Sequence, residues 1–177
     1  MGKVAAIVLA AGEASRFGSP KQHLLLPTVL ERLASAPIDE IVIVAGAYEL
    51  ELPSGKASLD IPVRVVRCPE WKLGPGASLR CGLGALADDV EAAVVILADG
   101  PNLDPAIVER LLSVWHLDGG IISASYGGDR GHPLIVGRAD WSHIPDEGLR
   151  GRTVRLVSGD DLGAPGDIDT PEDLGAL

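Results

Sequence analysis

Residues 4–21 read V-A-A-I-V-L-A-A-G-E-A-S-R-F-G-S-P-K. Val4 to Val8 are continuously apolar and partly β-branched, which suits a strand buried on both faces. Leu9, Ala10, Ala11 and Gly12 then form a loop of small residues, and beyond it stand Arg16 and Lys21. Small residues let backbone N–H groups come close to a ligand, and the two cations can neutralise a polyphosphate. This is a layout for holding a nucleoside triphosphate, with the backbone of Leu9 to Gly12 close to the ligand and Arg16 and Lys21 as its neutralising cations. Neither common phosphate motif is present. A P-loop needs G-x-x-x-x-G-K-[ST], whereas here five residues separate Gly12 from Gly18, and Lys21 is followed by Gln22. A dinucleotide fingerprint needs a second glycine two residues after the first, and Ala14 occupies that place.

Working outward, further apolar runs at Ile41–Ala45, Val63–Val66 and Val94–Leu97 predict more covered strands. Helical stretches are expected between them at Thr28–Ala36, stopped by Pro37, at Ser78–Ala87, and from Asp104-Pro105 to about His116. Alternation of strand and helix predicts a three-layer, doubly wound, mostly parallel α/β sheet. After residue 119, Ile121–Tyr126 and Pro133–Val136 flank a Gly-rich turn, which predicts a small antiparallel hairpin. Val154–Val157 reads as a further strand and Thr170-Pro171 as the start of a last helix. No linker or repeat divides residues 1–177, so one domain is expected. Gly82-x-Gly84-x-x-Ala87 matches a dinucleotide pattern but lies in a helix before a strand, the reverse of the order required.

The 177 residues carry 46% hydrophobic but only 3% aromatic side chains, so the core must be Val, Leu, Ile and Ala. A net charge of −10 argues against a nucleic-acid partner, which needs a basic face. No apolar stretch reaches the ~18 residues of a membrane span. The first apolar run reads as a core strand and not as a signal peptide, so a cytoplasmic protein is expected. Cys68 and Cys81 are too few for a disulfide framework or a zinc site and are expected to be free thiols in a reducing compartment.

Four segments carry chemistry. Asp99 follows the apolar run ending at Leu97, where an open α/β sheet binds ligands, and its carboxylate suits a hard cation or a turn cap equally well. Asp167 and Asp169 alternate along a strand-like step before Thr170-Pro171-Glu172-Asp173, itself a good helix start. The Gly/Pro loop 69–77 leads to Ser78 and Arg80 at a helix start, where Ser78 is also a candidate cap. Arg130-Gly131-His132-Pro133 presents an imidazole from a turn, since a residue before proline is held out of the helical region.

Taken together, L-A-A-G-x-x-x-R-F-G-x-P-K-Q from Leu9, L-A-D-x-P from Leu97, G-x-x-x-S-L-R from Gly74, R-G-H-P from Arg130 and D-I-D-T-P-E-D from Asp167 resemble the motifs of the MobA-like nucleotidyltransferases. The resemblance implies a Rossmann-like nucleotidyltransferase fold and Mg²⁺-dependent transfer of NMP from an NTP, CTP or GTP favoured, to a phosphorylated acceptor. The acceptor it favours is molybdopterin, with a molybdoenzyme or its chaperone as a transient partner. It assigns Arg16 and Lys21 to catalysis, Asp99 and Asp169 to the metal, with Asp167 the alternative, Ser78 and Arg80 to the nucleotide, and His132 to the acceptor side. A sugar-phosphate or isoprenoid-precursor cytidylyltransferase is the alternative within the class. A nucleotide-binding regulatory protein without turnover is the alternative outside it. The chain departs from the family at Ala14, where serine is usual, and at Gly100, where a bulkier residue is usual. It also lacks the short G-x-P turn usual after Leu24-Leu25-Leu26-Pro27.

Overall fold

In the computed structural model of the chain the described residues are 2–13, 22–52 and 59–166, with only the backbone described at Gln22 and His23. Seven strands form one sheet in the order β3-β2-β1-β4-β6-β5-β7. The predicted parallel half is β1 (Lys3–Ala10), β2 (Glu40–Ala45), β3 (Val63–Arg67) and β4 (Val90–Leu97). β5 (Ile121–Tyr126) and β6 (Asp129–Gly137) form the antiparallel hairpin, β6 also runs antiparallel to β4, and β7 (Arg155–Ser158) lies parallel to β5.

The inner strands β1, β2 and β4 are almost wholly apolar because both of their faces are covered, whereas the edge strands β3 and β7 expose arginines. Val4, Ala6 and Val8 of β1 and Ala92, Val94 and Ile96 of β4 face one core with helices α1 (Gln22–Ala34) and α3 (Pro105–Asp118). Ala5 and Ile7 of β1 and Ala93 and Val95 of β4 face a second core with α2 (Pro75–Gly84), Ile144 and Leu149. Alanines on the central strands leave room for the helices to approach closely. Gly82 serves the same end, since a Cβ there would stand 2.8 Å from Ile7 Cγ2. That close packing is the role of the first glycine in the pattern that mimics a dinucleotide fingerprint.

Three local expectations are corrected. α1 begins at Gln22 and not at Thr28, running through Pro27. Proline removes one backbone hydrogen bond there, but Leu25, Leu26, Val29, Leu30 and Leu33 make a continuous buried stripe that holds the helix together. The missing G-x-P turn therefore has no loop to leave, because its place lies inside the helix. α2 begins at Pro75, three residues before Ser78, so Ser78 is an interior residue and Gly74 occupies the cap position. The hairpin turn shortens to Gly127-Gly128, both with positive φ (61° and 88°), as a two-residue turn between twisted strands requires. Pro133 is tolerated within β6 because it lies next to a register shift and beyond the β4 pairing, which ends at Leu134.

The third helix matches its sequence signals closely. The Asp104 side chain accepts from the Ala106 N–H at 2.9 Å, and Pro105 fills the first turn. The expected final helix at Thr170 lies outside the described residues.

The cysteine expectation is overturned: Cys68 and Cys81 form a disulfide. Cys68 ends the chain's run along β3 and Cys81 sits on α2, which packs back over the strands. That return brings their Cα atoms to 5.7 Å, within the range a disulfide spans. Sequence spacing alone carries no trace of this fold-back. Thiol titration of the unfolded, unreduced protein should find no free thiol, and two after reduction. Reduction should lower stability by about 3 kcal/mol, as expected for cross-linking a short loop. Two free thiols before reduction would contradict the pairing.

Candidate functional site

The β1–β4 register places Leu9 opposite Leu97, and the Ala98 N–H donates to the Leu9 carbonyl at 3.1 Å. The exits of the two strands therefore lie side by side at the C-terminal edge of the sheet. Chain order reverses here, since β2 and β4 flank β1 on opposite sides, and open sheets bind ligands at such a point. Leu9, Ala10, Ala11 and Gly12 leave on one side of this crevice and Asp99 on the other.

The exit of β2 supports the small-residue loop. The Ala47 N–H donates to the Ala11 carbonyl at 3.0 Å, and the Tyr48 hydroxyl donates to the Glu13 carbonyl at 2.9 Å. Gly46 permits the approach, because a Cβ there would lie 2.7 Å from both the Ala11 Cβ and the Trp71 ring. Gly46 and Tyr48 carry no motif, so this brace has no local signal. Arg16 and Lys21 lie outside the described residues, as do Asp167 and Asp169.

Gly100, the departure from the expected motif, has a packing reason. A Cβ there would approach Pro165 Cβ to 3.0 Å, and the Asn102 N–H donates to the Pro165 carbonyl at 2.9 Å. The segment that leads into Asp167 and Asp169 thus lies against the turn that carries Asp99. Among the described residues no group of three His, Cys, Asp or Glu side chains gathers to hold a metal. Asp99 supplies a partly buried carboxylate of the hard-oxygen kind that Mg²⁺ takes.

His132 stands where β6 passes the end of β4, next to a cavity of about 330 Å³ lined in part by Leu97, Gly100, Tyr126, Pro133 and Pro165. The His132–Pro133 peptide is cis. Burial, reinforced by the neighbouring Arg130 cation and opposed by Asp99, lowers the His132 pKa to about 4. The ring is therefore neutral near pH 7. It lies within electrostatic reach of Asp99, so β4 and β6 bring two of the expected site residues together. The Tyr126 hydroxyl donates to the His132 carbonyl at 3.1 Å, and burial raises the Tyr126 pKa. Tyr126 was not expected at the site from the sequence.

Ser78 is buried in α2, 4% exposed. The Arg80 guanidinium, expected at the nucleotide, instead reaches the Ile144 carbonyl at 2.6 Å and the Asp146 carboxylate at 2.5 Å.

A mixed Rossmann-like sheet with a small-residue loop and an acidic strand exit at its switch point is a frame suited to holding a nucleotide. A profile of the MobA-like NTP transferase domain matches residues 6–156. The chain belongs to that family. It is 31% identical over 189 aligned positions to the molybdenum cofactor guanylyltransferase of Rhodobacter capsulatus, covering 97% of this chain and 93% of the other. Among solved structures it is similar to Rv0371c of Mycobacterium tuberculosis, with a TM-score of 0.76, 26% identity and coverage of 99% and 96%. A structure of Rv0371c in complex with manganese gives a TM-score of 0.75 at 26% identity, with coverage of 99% and 97%.

The His132 shift has a measurable sign. The folded ring binds its proton near 4 and the unfolded ring near 6.5, so the unfolded state holds more protons between those values. Stability contributed by the neutral ring is complete above about pH 6.5 and is lost as pH falls toward 4. Nuclear magnetic resonance of the imidazole should show no titration of His132 above about pH 5.5. A midpoint near 6.5 would contradict the buried placement.

Proposed function

We propose that the protein transfers NMP from GTP or CTP to a phosphorylated acceptor, with molybdopterin as the favoured acceptor, and releases pyrophosphate. The observation that carries this reading is the crevice between β1 and β4, where the Leu9–Gly12 loop, Asp99 and His132 border one edge. The family match supports it, and the guanylyltransferase activity named for the R. capsulatus relative favours GTP. In this reading the enzyme works in the cytoplasm, where the Cys68–Cys81 pair would meet a reducing thiol pool.

An acceptor phosphate oxygen attacks the α-phosphorus, a new P–O bond forms, and the bond to the bridging oxygen of pyrophosphate breaks. Both reactants are anions, so the protein must neutralise charge and align the reacting atoms. Backbone from Leu9 to Gly12 and Ser78 hold the nucleotide. Arg16 neutralises the departing pyrophosphate, and Lys21 bridges the α-phosphate and the incoming group. Asp99 and Asp169 are the residues that would hold Mg²⁺, which when bound withdraws charge from the phosphate oxygens as a Lewis acid. The manganese complex of Rv0371c is consistent with a divalent ion in this fold.

His132 lines the acceptor side without adding charge. It is not needed as a general base, because an acceptor phosphate, with a second pKa near 6, is already largely ionised at pH 7. A neutral ring beside an apolar cavity suits the uncharged body of the acceptor better than its phosphate.

Pyrophosphate release should be measured with GTP, CTP, ATP and UTP, with and without molybdopterin. Arg16→Ala and Lys21→Ala should each lower turnover roughly 10³-fold or more, with the melting temperature unchanged. Retention of more than about a tenth of the activity would remove that residue from the mechanism, since such a loss is only ~1.4 kcal/mol.

A further inference from the structure

We propose that Arg80 and Asp146 are positioning residues that set the first turn of α2, and with it Ser78, in the nucleotide half of the site. The inference rests on the nucleotidyltransferase reading above and deepens it. It also changes the expectation for Arg80, from a nucleotide contact to a brace.

The first turn of α2 has no side-chain cap. Its backbone is seated against the segment 144–148 instead. The Gly76 N–H donates to the Asp146 carbonyl at 2.8 Å, satisfying one of the amides that a helix start leaves unpaired. A Cβ at Gly74 would collide with the Asp146 carbonyl, and one at Gly76 with the Pro145 carbonyl. Only glycine permits this backbone-to-backbone contact on both sides of Pro75. One turn further along, Arg80 returns to the same segment through two nitrogens, Nη1 to the Ile144 carbonyl and Nη2 to the Asp146 carboxylate. Asp146 therefore grips α2 twice, by its carbonyl at Gly76 and by its carboxylate at Arg80, and Ser78 lies between the two grips.

The other end of the same segment is tied to the acceptor side. Arg130, two residues before His132, donates to the Leu149 carbonyl at 3.0 Å. The stretch from Ile144 to Leu149 thus forms a strap from the helix carrying Ser78 to the strand carrying His132. With side chains 36% and 49% exposed, the Arg80–Asp146 pair contributes little to overall stability. Its consequence is alignment. A carbonyl and a carboxylate taken by one planar fork fix an angle that a single ammonium does not, so lysine is a poor replacement.

The test is steady-state kinetics of wild type, Asp146→Asn, Arg80→Gln, Arg80→Lys and the Asp146→Asn/Arg80→Gln double variant, with GTP and acceptor varied separately. Hydrogen exchange of the Gly76–Ser78 amides is followed in parallel. Either single neutral variant should raise KM for the nucleotide about tenfold while leaving KM for the acceptor within about twofold. The double variant should be no worse than Arg80→Gln alone, because that substitution already removes the ion pair that Asp146→Asn removes. Lysine should restore less than half of the loss, and exchange at Gly76–Ser78 should quicken. If Arg80 bound nucleotide directly, Asp146→Asn would leave or improve nucleotide KM while Arg80→Gln impaired it, and that result would overturn the proposal. Wild-type turnover with Asp146→Asn indistinguishable from wild type would overturn the positioning role alone. Failure of wild type to bind or turn over any NTP would overturn the functional reading itself, and the positioning role with it.

Discussion

The parallel pairing of β1 with β4 is the constraint on which the rest of the molecule depends. It runs from Val4↔Ala92 to Leu9↔Leu97 in unbroken register. Ala5 to Val8 on one strand and Ala92 to Val94 on the other are fully buried. A shift by one residue would turn every side chain to the opposite core, exchanging the surfaces packed on α1 and α3 for those packed on α2. The register therefore also fixes where the two strands end. Gly12 and Asp99, far apart in sequence, leave the sheet beside each other because Leu9 and Leu97 are partners.

Electrostatics act on that frame locally. The chain carries a net charge of −10, so affinity for anionic substrates has to come from particular groups and not from the overall field. The described arginines near the crevice are largely engaged with the protein: Arg80 with Ile144 and Asp146, Arg130 with Leu149. The proposed phosphate-neutralising role rests on Arg16 and Lys21. His132, neutral by burial, marks the less polar side of the crevice. The proposed chemistry thus divides between a charged nucleotide half and an apolar acceptor half, joined by the strap from Ile144 to Leu149.

The sheet was legible because doubly covered strands write themselves as continuous apolar runs, as at Val4–Val8 and Ile41–Ala45. The ends of helices were less so. The first helix read as starting at Thr28, but the stripe from Leu25 to Leu33 carries it back through Pro27 and outweighs the missing hydrogen bond. Ser78 read as a cap, whereas Gly74 and Gly76 let the helix start earlier by packing on a segment about seventy residues away. Contacts of that range leave no local pattern. The Cys68–Cys81 bridge, the Arg80–Asp146 pair and the Tyr48 hydrogen bond to Glu13 were hidden for the same reason. Asp99 and His132 were singled out because each belongs to a short motif, and the structure brings the two within electrostatic reach. Gly100 was legible only as an anomaly until Pro165 supplied its neighbour.

In the proposed mechanism Asp99 and Asp169, carboxylates from distant parts of the chain, would share one ion. Electron paramagnetic resonance of Mn²⁺ binding, with a non-hydrolysable GTP analogue present, tests it directly. The account predicts one site in wild type, at least a tenfold loss of affinity in both Asp99→Asn and Asp169→Asn, and little further loss when the two are combined. Wild-type Mn²⁺ affinity in either single variant would contradict it.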